Sequence, residues 1–193
     1  MLKILLISII TFLSTFINEA DEIKDNIQSK NSTNQIFKVL VEIPSSSIEK
    51  WEWNENNKSV QRDSVRGKPR IINYLNYPFN YGIVLNQKLS EDGDPLDAVV
   101  IGKSIKREKI IDVKLISILK TLDNGLEDNK AVFIHKSSPL FKNVDSLEDL
   151  NKLYPGISEI IKIWFKNYKL NTTVLDFLST KESIGYLYLK SKD

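Results

Sequence analysis

The sequence has no cysteine and a single histidine, His135, among its 193 residues. The lack of cysteine excludes disulfides, thiolate nucleophiles and cysteine metal sites, and one histidine cannot build a multi-histidine zinc site. Any bound metal would therefore have oxygen ligands, which favours Mg²⁺, Ca²⁺ or Mn²⁺. A large charge excess is also missing, because the formal net charge is only +2. The overall balance gives no strong signature of nucleic-acid or acidic-membrane binding.

A hydrophobic run long enough to form a stable membrane span is absent as well. The apolar stretch from Ile4 to Ile17 follows Lys3 and contains four hydroxyl residues, and it is shorter than the roughly 20 residues needed to cross a bilayer. With Ala20 as a cleavage point, residues 1–20 are predicted to be a signal peptide, so we expect an extracytoplasmic (periplasmic or secreted) mature protein. Asn18 is not the usual small residue before such a cut. An uncleaved anchor and a cytoplasmic N-terminus stay open as alternatives.

The remaining chain divides into a short polar segment and one domain. Residues 21–35 are rich in Asn, Ser and Lys and lack apolar periodicity, so they are predicted to be a flexible lead-in. Residues 36–193 can bury one sizeable core. Short β-branched and aromatic runs occur at 37–43, 48–53, 81–85, 98–101, 110–119 and 131–134. They predict a mainly β fold, a small closed barrel, with a hairpin turn at Asp123-Asn124-Gly125.

The C-terminal part changes to a helical period. Ser146 followed by Asp149 indicates a capped start of a short helix. Apolar residues then recur at helical spacing, at Ile157, Ile160, Ile161, Trp164 and Tyr168. This pattern predicts an amphipathic helix packed on the barrel, hence an α+β protein. The tail beyond Leu170 is apolar only in patches and predicts no particular element.

Residues 91–97 read Glu-Asp-Gly-Asp-Pro-Leu-Asp and are the most informative segment. Asp92, Asp94 and Asp97 crowd together, and like charges at short range disfavour joint ionisation unless a cation lies among them. The alternative is a solvated acidic turn. A calcium loop of the EF-hand type is excluded, because Asp97 stands where that loop needs glycine and Lys103 where it needs glutamate.

Two further groups of charged residues could face a metal-bound anion. Asp123 and Asp128 flank the predicted hairpin turn, and Asp128 shares a strand face with Lys130. An exposed turn with a surface ion pair is the alternative. Lys50 and Glu52 alternate with Trp51 and Trp53, so one face of that strand is charged and the other is aromatic. Such a surface is also typical of oligonucleotide-binding barrels, although carboxylates repel phosphodiesters unless metals intervene.

Taken together, these segments resemble the soluble, metal-dependent (family I) inorganic pyrophosphatases from about Val41 to Lys169. The family signature Asp-Gly-Asp-Pro-x-Asp is matched by residues 92–97. The other matching pieces follow in the family's order: Glu42-Ile43-Pro44, Lys50-x-Glu52, Arg70, Tyr77 to Gly82, Asp123 to Lys130 and Tyr168-Lys169. The segment from Lys103 to Asp112 matches only loosely.

The resemblance implies an OB-type barrel with flanking helices and the hydrolysis of pyrophosphate to two phosphates. It implies several Mg²⁺ ions per site, with Mn²⁺ as a substitute, and a homo-oligomer, either a hexamer or a dimer. Carried over by position, the metal ligands are Asp92, Asp97, Asp123 and Asp128, and the general base is Asp94. The phosphate-binding residues are Lys50, Arg70, Tyr81, Lys130, Tyr168 and Lys169. Glu42, Glu52 and Tyr77 match supporting residues.

Two other functions are compatible with the residues themselves. One is a non-catalytic barrel that binds nucleic acid or a phosphorylated ligand, and the other is a hydrolase of a different phosphoanhydride, such as a nucleotide. The resemblance favours pyrophosphate as substrate and no nucleic-acid partner. Most members of the family are cytoplasmic, so the predicted signal peptide would make this chain an exported member.

Overall fold

The computed structural model describes residues 35–88 and 95–190, apart from the side chains of residues 87, 88, 189 and 190. The predicted signal peptide and nearly all of the predicted lead-in lie outside the described residues, as do Asp92 and Asp94. Within the described ranges, no helix is both long and apolar enough to cross a membrane.

Eleven strands and three α-helices occupy the described residues. The strands are β1 (Ile36–Ile43), β2 (Trp51–Asn54), β3 (Ser59–Arg62), β4 (Ser64–Val65), β5 (Lys68–Pro69), β6 (Asn80–Lys88), β7 (Pro95–Ile101), β8 (Ile110–Asp123), β9 (Leu126–Glu127), β10 (Lys130–His135) and β11 (Thr172–Phe177). The helices are α1 (Leu147–Leu153), α2 (Ile157–Asn167) and α3 (Thr180–Lys190), and a 3₁₀ turn covers Pro139–Phe141.

Five strands close into a barrel, which confirms the predicted mainly β architecture with flanking helices. The strands pair in the order β1, β6, β7, β10, β8, and β8 pairs back with β1. All of these pairs are antiparallel except β7 with β10, which run parallel and place Lys130 opposite Asp97. This parallel register joins two segments of predicted site residues that are far apart in the chain.

The central strands are buried on both faces because helices cover the barrel. Val99 and Val132 belong to one core cluster, which also contains Trp164 and Phe165 of α2. Their neighbours Val100 and Phe133 belong to the second cluster, together with Ile184 and Leu187 of α3. Alternate residues of a strand point to opposite faces, so these short apolar runs connect the two halves of the core.

Glycine is required where β1 and β6 approach each other. A Cβ atom added at Gly82 would lie 1.9 Å from the carbonyl oxygen of Leu40, so any larger residue would force these strands apart. The predicted hairpin is confirmed: Asp123 pairs with Leu126, and Asn124 and Gly125 have φ angles of 49° and 86°. Positive φ at both turn residues is the geometry that Asn-Gly favours.

The helix predictions are confirmed with one correction. The Ser146 hydroxyl accepts a hydrogen bond from the Asp149 backbone N–H at 3.1 Å, which caps α1. In α2, Ile161 and Trp164 are buried, but Ile160 is 54% exposed. The predicted buried stripe is therefore wrong at Ile160, because the buried side of α2 is centred on Ile161, Trp164 and Phe165. The unassigned tail forms β11, which pairs with β8, and α3.

Candidate active site

Among the described residues of the predicted site, Lys130 is the most enclosed charged one. It is the first residue of β10 and is only 2% exposed. Its Nζ atom lies 2.5 Å from Asp97 Oδ2 on the neighbouring strand and also contacts Asp128. Burial alone would lower the pKa of Lys130, but the charges of Asp97 and Asp128 outweigh it and raise the pKa. Lys130 is therefore a positive charge fixed inside the barrel wall.

A second lysine continues this chain of charges. Lys169 follows α2, and its Nζ lies 2.8 Å from Asp123 Oδ2 and 3.8 Å from Asp128 Oδ2. The two lysines thus connect three carboxylates in the order Asp97, Lys130, Asp128, Lys169, Asp123. The side chains of the three aspartates are between 28% and 36% exposed. The lysines hold these carboxylates together, and the aspartate side chains remain partly exposed.

Lys50 approaches the same carboxylates from the segment before β2. Its side chain is 14% exposed, and its Nζ lies 2.9 Å from Glu52 Oε1 and 5.6 Å from the ring centre of Tyr81. Burial would lower the pKa of Lys50, but the acidic groups of Tyr77, Glu52 and Asp97 raise it on balance. The predicted charged face is observed, and Lys50 stays protonated at neutral pH.

Arg70 is held beside Lys50 by the backbone. The Lys50 N–H donates a hydrogen bond to the Arg70 carbonyl at 3.1 Å. Asp63 links the two residues further, because its N–H donates to the Lys50 carbonyl at 3.1 Å and its carbonyl accepts from the Arg70 N–H at 2.8 Å. The Arg70 guanidinium also pairs with the Asp63 carboxylate at 3.0 Å. Sequence reasoning missed Asp63, although an acid seven residues before a proposed phosphate-binding arginine was the available signal.

Three tyrosines line this region and stay neutral. Tyr77 and Tyr81 are 2% and 5% exposed, and their ring centres are 5.7 Å apart. Tyr168 stacks on Trp164 with ring centres 4.6 Å apart. Burial raises the pKa of Tyr168 to about 12 and that of Tyr81 well above its ordinary value. The phenol groups are therefore available as hydrogen-bond donors at physiological pH.

Glu42 is a buried carboxyl group at the edge of the site. It is 3% exposed, and its Oε1 atom accepts a hydrogen bond from the Trp53 backbone N–H at 2.6 Å. Burial and the charge of Asp97 raise the pKa of Glu42 to about 8, against the opposing charge of Lys50. The buried Glu42 carboxyl can thus gain or lose a proton near neutral pH.

The donor chemistry around Asp97, Asp123 and Asp128 suits a hard cation. Across the part of the chain that the structure describes, no three acidic or imidazole groups form a complete metal cage. Magnesium does not need one, because it keeps several waters and binds one or two carboxylates together with substrate phosphates. Open carboxylates beside fixed lysines fit such a metal. The other predicted ligand, Asp92, and the predicted base, Asp94, lie outside the described residues.

Comparison with known proteins gives a consistent result. The family model described as inorganic pyrophosphatase matches residues 39–182. The chain is 34% identical over 136 residues to an inorganic pyrophosphatase of Halalkalibacterium halodurans, covering 70% of this chain and 78% of that protein. It is 36% identical over 137 residues to one of Sulfolobus acidocaldarius, covering 69% and 74%. The crystal structure of type I inorganic pyrophosphatase from Toxoplasma gondii superposes with a TM-score of 0.76 at 25% identity, covering 81% and 78%.

Proposed function

Because the chain belongs to the inorganic pyrophosphatase family and is an inorganic diphosphatase, we propose that its reaction is magnesium-dependent hydrolysis with Asp94 as general base. Water attacks one phosphorus of pyrophosphate, the bridging P–O bond breaks, and two phosphates leave. The observation that carries this proposal is the chain of contacts in which Lys130 and Lys169 connect Asp97, Asp128 and Asp123. In this chain of contacts lysine ammonium groups lie next to carboxylate oxygens, which supports the proposal that phosphate and a metal bind side by side.

The positive side chains neutralise the substrate. Pyrophosphate resists attack because its phosphorus atoms are surrounded by negative oxygens, and fixed cations in an enclosed site lower this barrier. Lys50 and Lys130 have raised pKa values and are largely buried. They are charged and in position before the substrate arrives. Arg70 adds a planar fork that can bind two phosphate oxygens at once.

The tyrosines orient the phosphate groups. The phenols of Tyr81 and Tyr168 remain protonated, since burial raises the pKa of each. A neutral phenol can donate a hydrogen bond to a phosphate oxygen without adding negative charge. The stacked rings of Tyr168 and Trp164 fix one of these donors relative to α2. The two donors complete the proposed phosphate-binding set.

The aspartates divide into one base and four ligands. Magnesium bound by Asp92, Asp97, Asp123 and Asp128 would supply charge neutralisation and an acidified water, and Mn²⁺ is the proposed substitute. Asp94 directly precedes Pro95, the first residue of β7, and Asp97 on the same strand contacts Lys130. The proposed role of Asp94 is to accept the proton of the attacking water.

Two properties outside the active site are also proposed. Residues 1–20 act as a signal peptide, so the enzyme works outside the cytoplasm. The chain assembles as a homo-oligomer, either a dimer or a hexamer. The signal-peptide proposal rests on Lys3 and the apolar run from Ile4 to Ile17. The oligomer proposal rests on the resemblance of the sequence to the family.

Phosphate release from pyrophosphate tests the proposed reaction. The full chain is assayed with millimolar magnesium, with magnesium plus excess EDTA, and with ATP in place of pyrophosphate. We expect rapid release from pyrophosphate, loss of activity with EDTA, and much slower release from ATP. Undiminished release in EDTA would contradict metal dependence, and preference for ATP would contradict the substrate. No release at all, together with salt-sensitive binding of single-stranded nucleic acid, would support the non-catalytic barrel instead.

A further inference from the structure

A cluster of four side chains surrounds Trp51, next to Lys50. It consists of Glu49, Trp51, Arg62 and Arg107, and we refer to it as the Trp51 cluster. The Arg107 guanidinium carbon lies 3.7 Å from the Trp51 ring centre, and that of Arg62 lies 5.5 Å away. A guanidinium at such a distance is attracted to the indole face, and Arg is the residue that makes this contact most often.

Glu49 ties the members of the Trp51 cluster together. Its Oε2 accepts a hydrogen bond from the Trp51 indole N–H at 3.0 Å and lies 3.6 Å from Arg107 Nη2. Its Oε1 accepts from Arg62 Nη1 at 2.6 Å. The carboxylate thus has two hydrogen-bond donors and one ion-pair partner, from three separate segments of the chain. The indole ring cannot shift without stretching several of these contacts at once.

Arg107 also anchors the Trp51 cluster to β1. Its Nε donates to the Glu42 carbonyl oxygen at 3.0 Å. The loop that carries Arg107 is itself bonded to β1, because the Val41 N–H donates to Lys109 and the Glu108 N–H donates to Val41. The Glu42 carboxyl in turn accepts from the backbone N–H of Trp53 in β2. One arginine therefore links the loop, β1 and the indole of β2.

The position of Lys50 depends on these contacts, since Glu49 and Trp51 are its two neighbours in the chain. We propose that the Trp51 cluster is a positioning device that holds the backbone on both sides of Lys50 and thereby sets the height of its ammonium group above the substrate phosphate. This inference rests on the proposed function. It assigns a role to Arg107, which lies in the Lys103 to Asp112 segment where the family resemblance is loose.

Arg107→Met tests the proposal, with Lys106→Met as the matched control. Lys106 is exposed in the same loop, so its variant removes the same charge without touching Trp51. A mutation far from the chemistry that misplaces a group of the site by about 1 Å can cost about 10²-fold in catalytic efficiency. We expect Arg107→Met to raise KM for magnesium pyrophosphate by about 5- to 50-fold, to lower kcat by less than about threefold, and to unfold in urea as one cooperative transition. Lys106→Met should match wild type.

A double-mutant cycle separates positioning of Lys50 from general loosening of the protein. If Arg107 acts through Lys50, adding Arg107→Met to Lys50→Ala should cost less than about twofold further in kcat/KM. Losses that multiply, or an unchanged KM in the single variant, would overturn the proposal. If Arg107→Met does not fold, Trp51→Phe replaces it in the same double-mutant cycle, because Phe keeps an aromatic ring but lacks the N–H that donates to Glu49. Inactive wild-type protein would instead refute the proposed function on which the inference rests.

Discussion

Replacing Glu42 by glutamine should stabilise the protein, and increasingly so as the pH rises. Glu42 is 3% exposed, and its pKa is raised from 4.5 to about 8, first by burial and then by the charge of Asp97. The folded protein therefore holds this proton between about pH 4.5 and 8, where the unfolded chain has released it. Folding stability contributed by the neutral carboxyl is present at low pH and falls as pH rises across this window.

The size of the effect follows from the pKa values. A change from 4.5 to about 8, at about 1.4 kcal/mol for each pH unit, sets a ceiling of roughly 5 kcal/mol on the cost of the ionised group. Glutamine keeps an oxygen that can accept from the Trp53 N–H, but it loses the extra strength of a charged acceptor at high pH. We therefore expect Glu42→Gln to stabilise the protein by about 2 kcal/mol or more at pH 9 and by less than about 1 kcal/mol at pH 5.

Urea unfolding of wild type and Glu42→Gln in EDTA, at pH 5, 7 and 9, measures this difference directly. EDTA is included because a bound cation near Asp97 would favour the charged form of Glu42. Asp112→Asn is a useful control, since that carboxylate is exposed and paired with Lys38. A stability difference for Glu42→Gln that does not change between pH 5 and pH 9 would refute the reasoning.

Two other predictions concern substrate binding and export. We expect kcat/KM to fall by about 10-fold or more in each of three folded variants, Lys50→Ala, Arg70→Ala and Lys169→Ala, because each side chain is proposed to bind phosphate. Arg70→Lys should also have a low kcat/KM, since it loses the bidentate fork. Normal kinetics for all four variants on folded protein would rule out the assigned phosphate site. N-terminal sequencing of the mature protein should find Asp21 as the first residue. Finding Met1 as the first residue of soluble protein from the cytosol would contradict export.

Local features of the fold could be predicted because nearby residues decide them. The Asn124-Gly125 turn needs positive φ at both positions, and the Ser146 cap needs only a hydroxyl close to Asp149. Both are visible in the sequence. The apolar runs likewise predicted the barrel strands, since burial on both faces requires β-branched and aromatic residues.

Features that depend on distant pairing could not be predicted in the same way. The parallel pairing of β10 with β7, which brings Lys130 to Asp97, is set by barrel closure and has no local signal. Strand β3 pairs with β2 outside the barrel, and Val60 is the single apolar residue among its four, so its sequence lacks an apolar period. The contact of Arg107 with Trp51 joins residues that are 56 positions apart in the numbering. The sequence could propose which residues belong to the candidate site, but the distances between the described ones could not be predicted from it.

The two roles proposed for the aspartates are tested most directly by magnesium titration of Asp94→Asn and Asp97→Asn, each with a folding check. Loss of a positioned general base typically lowers turnover by about 10²–10⁴-fold. Asp94→Asn should fold, bind metal and show such a loss, with no recovery at high magnesium. Asp97→Asn removes a ligand charge, so its activation should need more magnesium and be partly restored by excess. Near-normal turnover of Asp94→Asn, or equal rescue of both variants by metal, would contradict the assignment of Asp94 as the base.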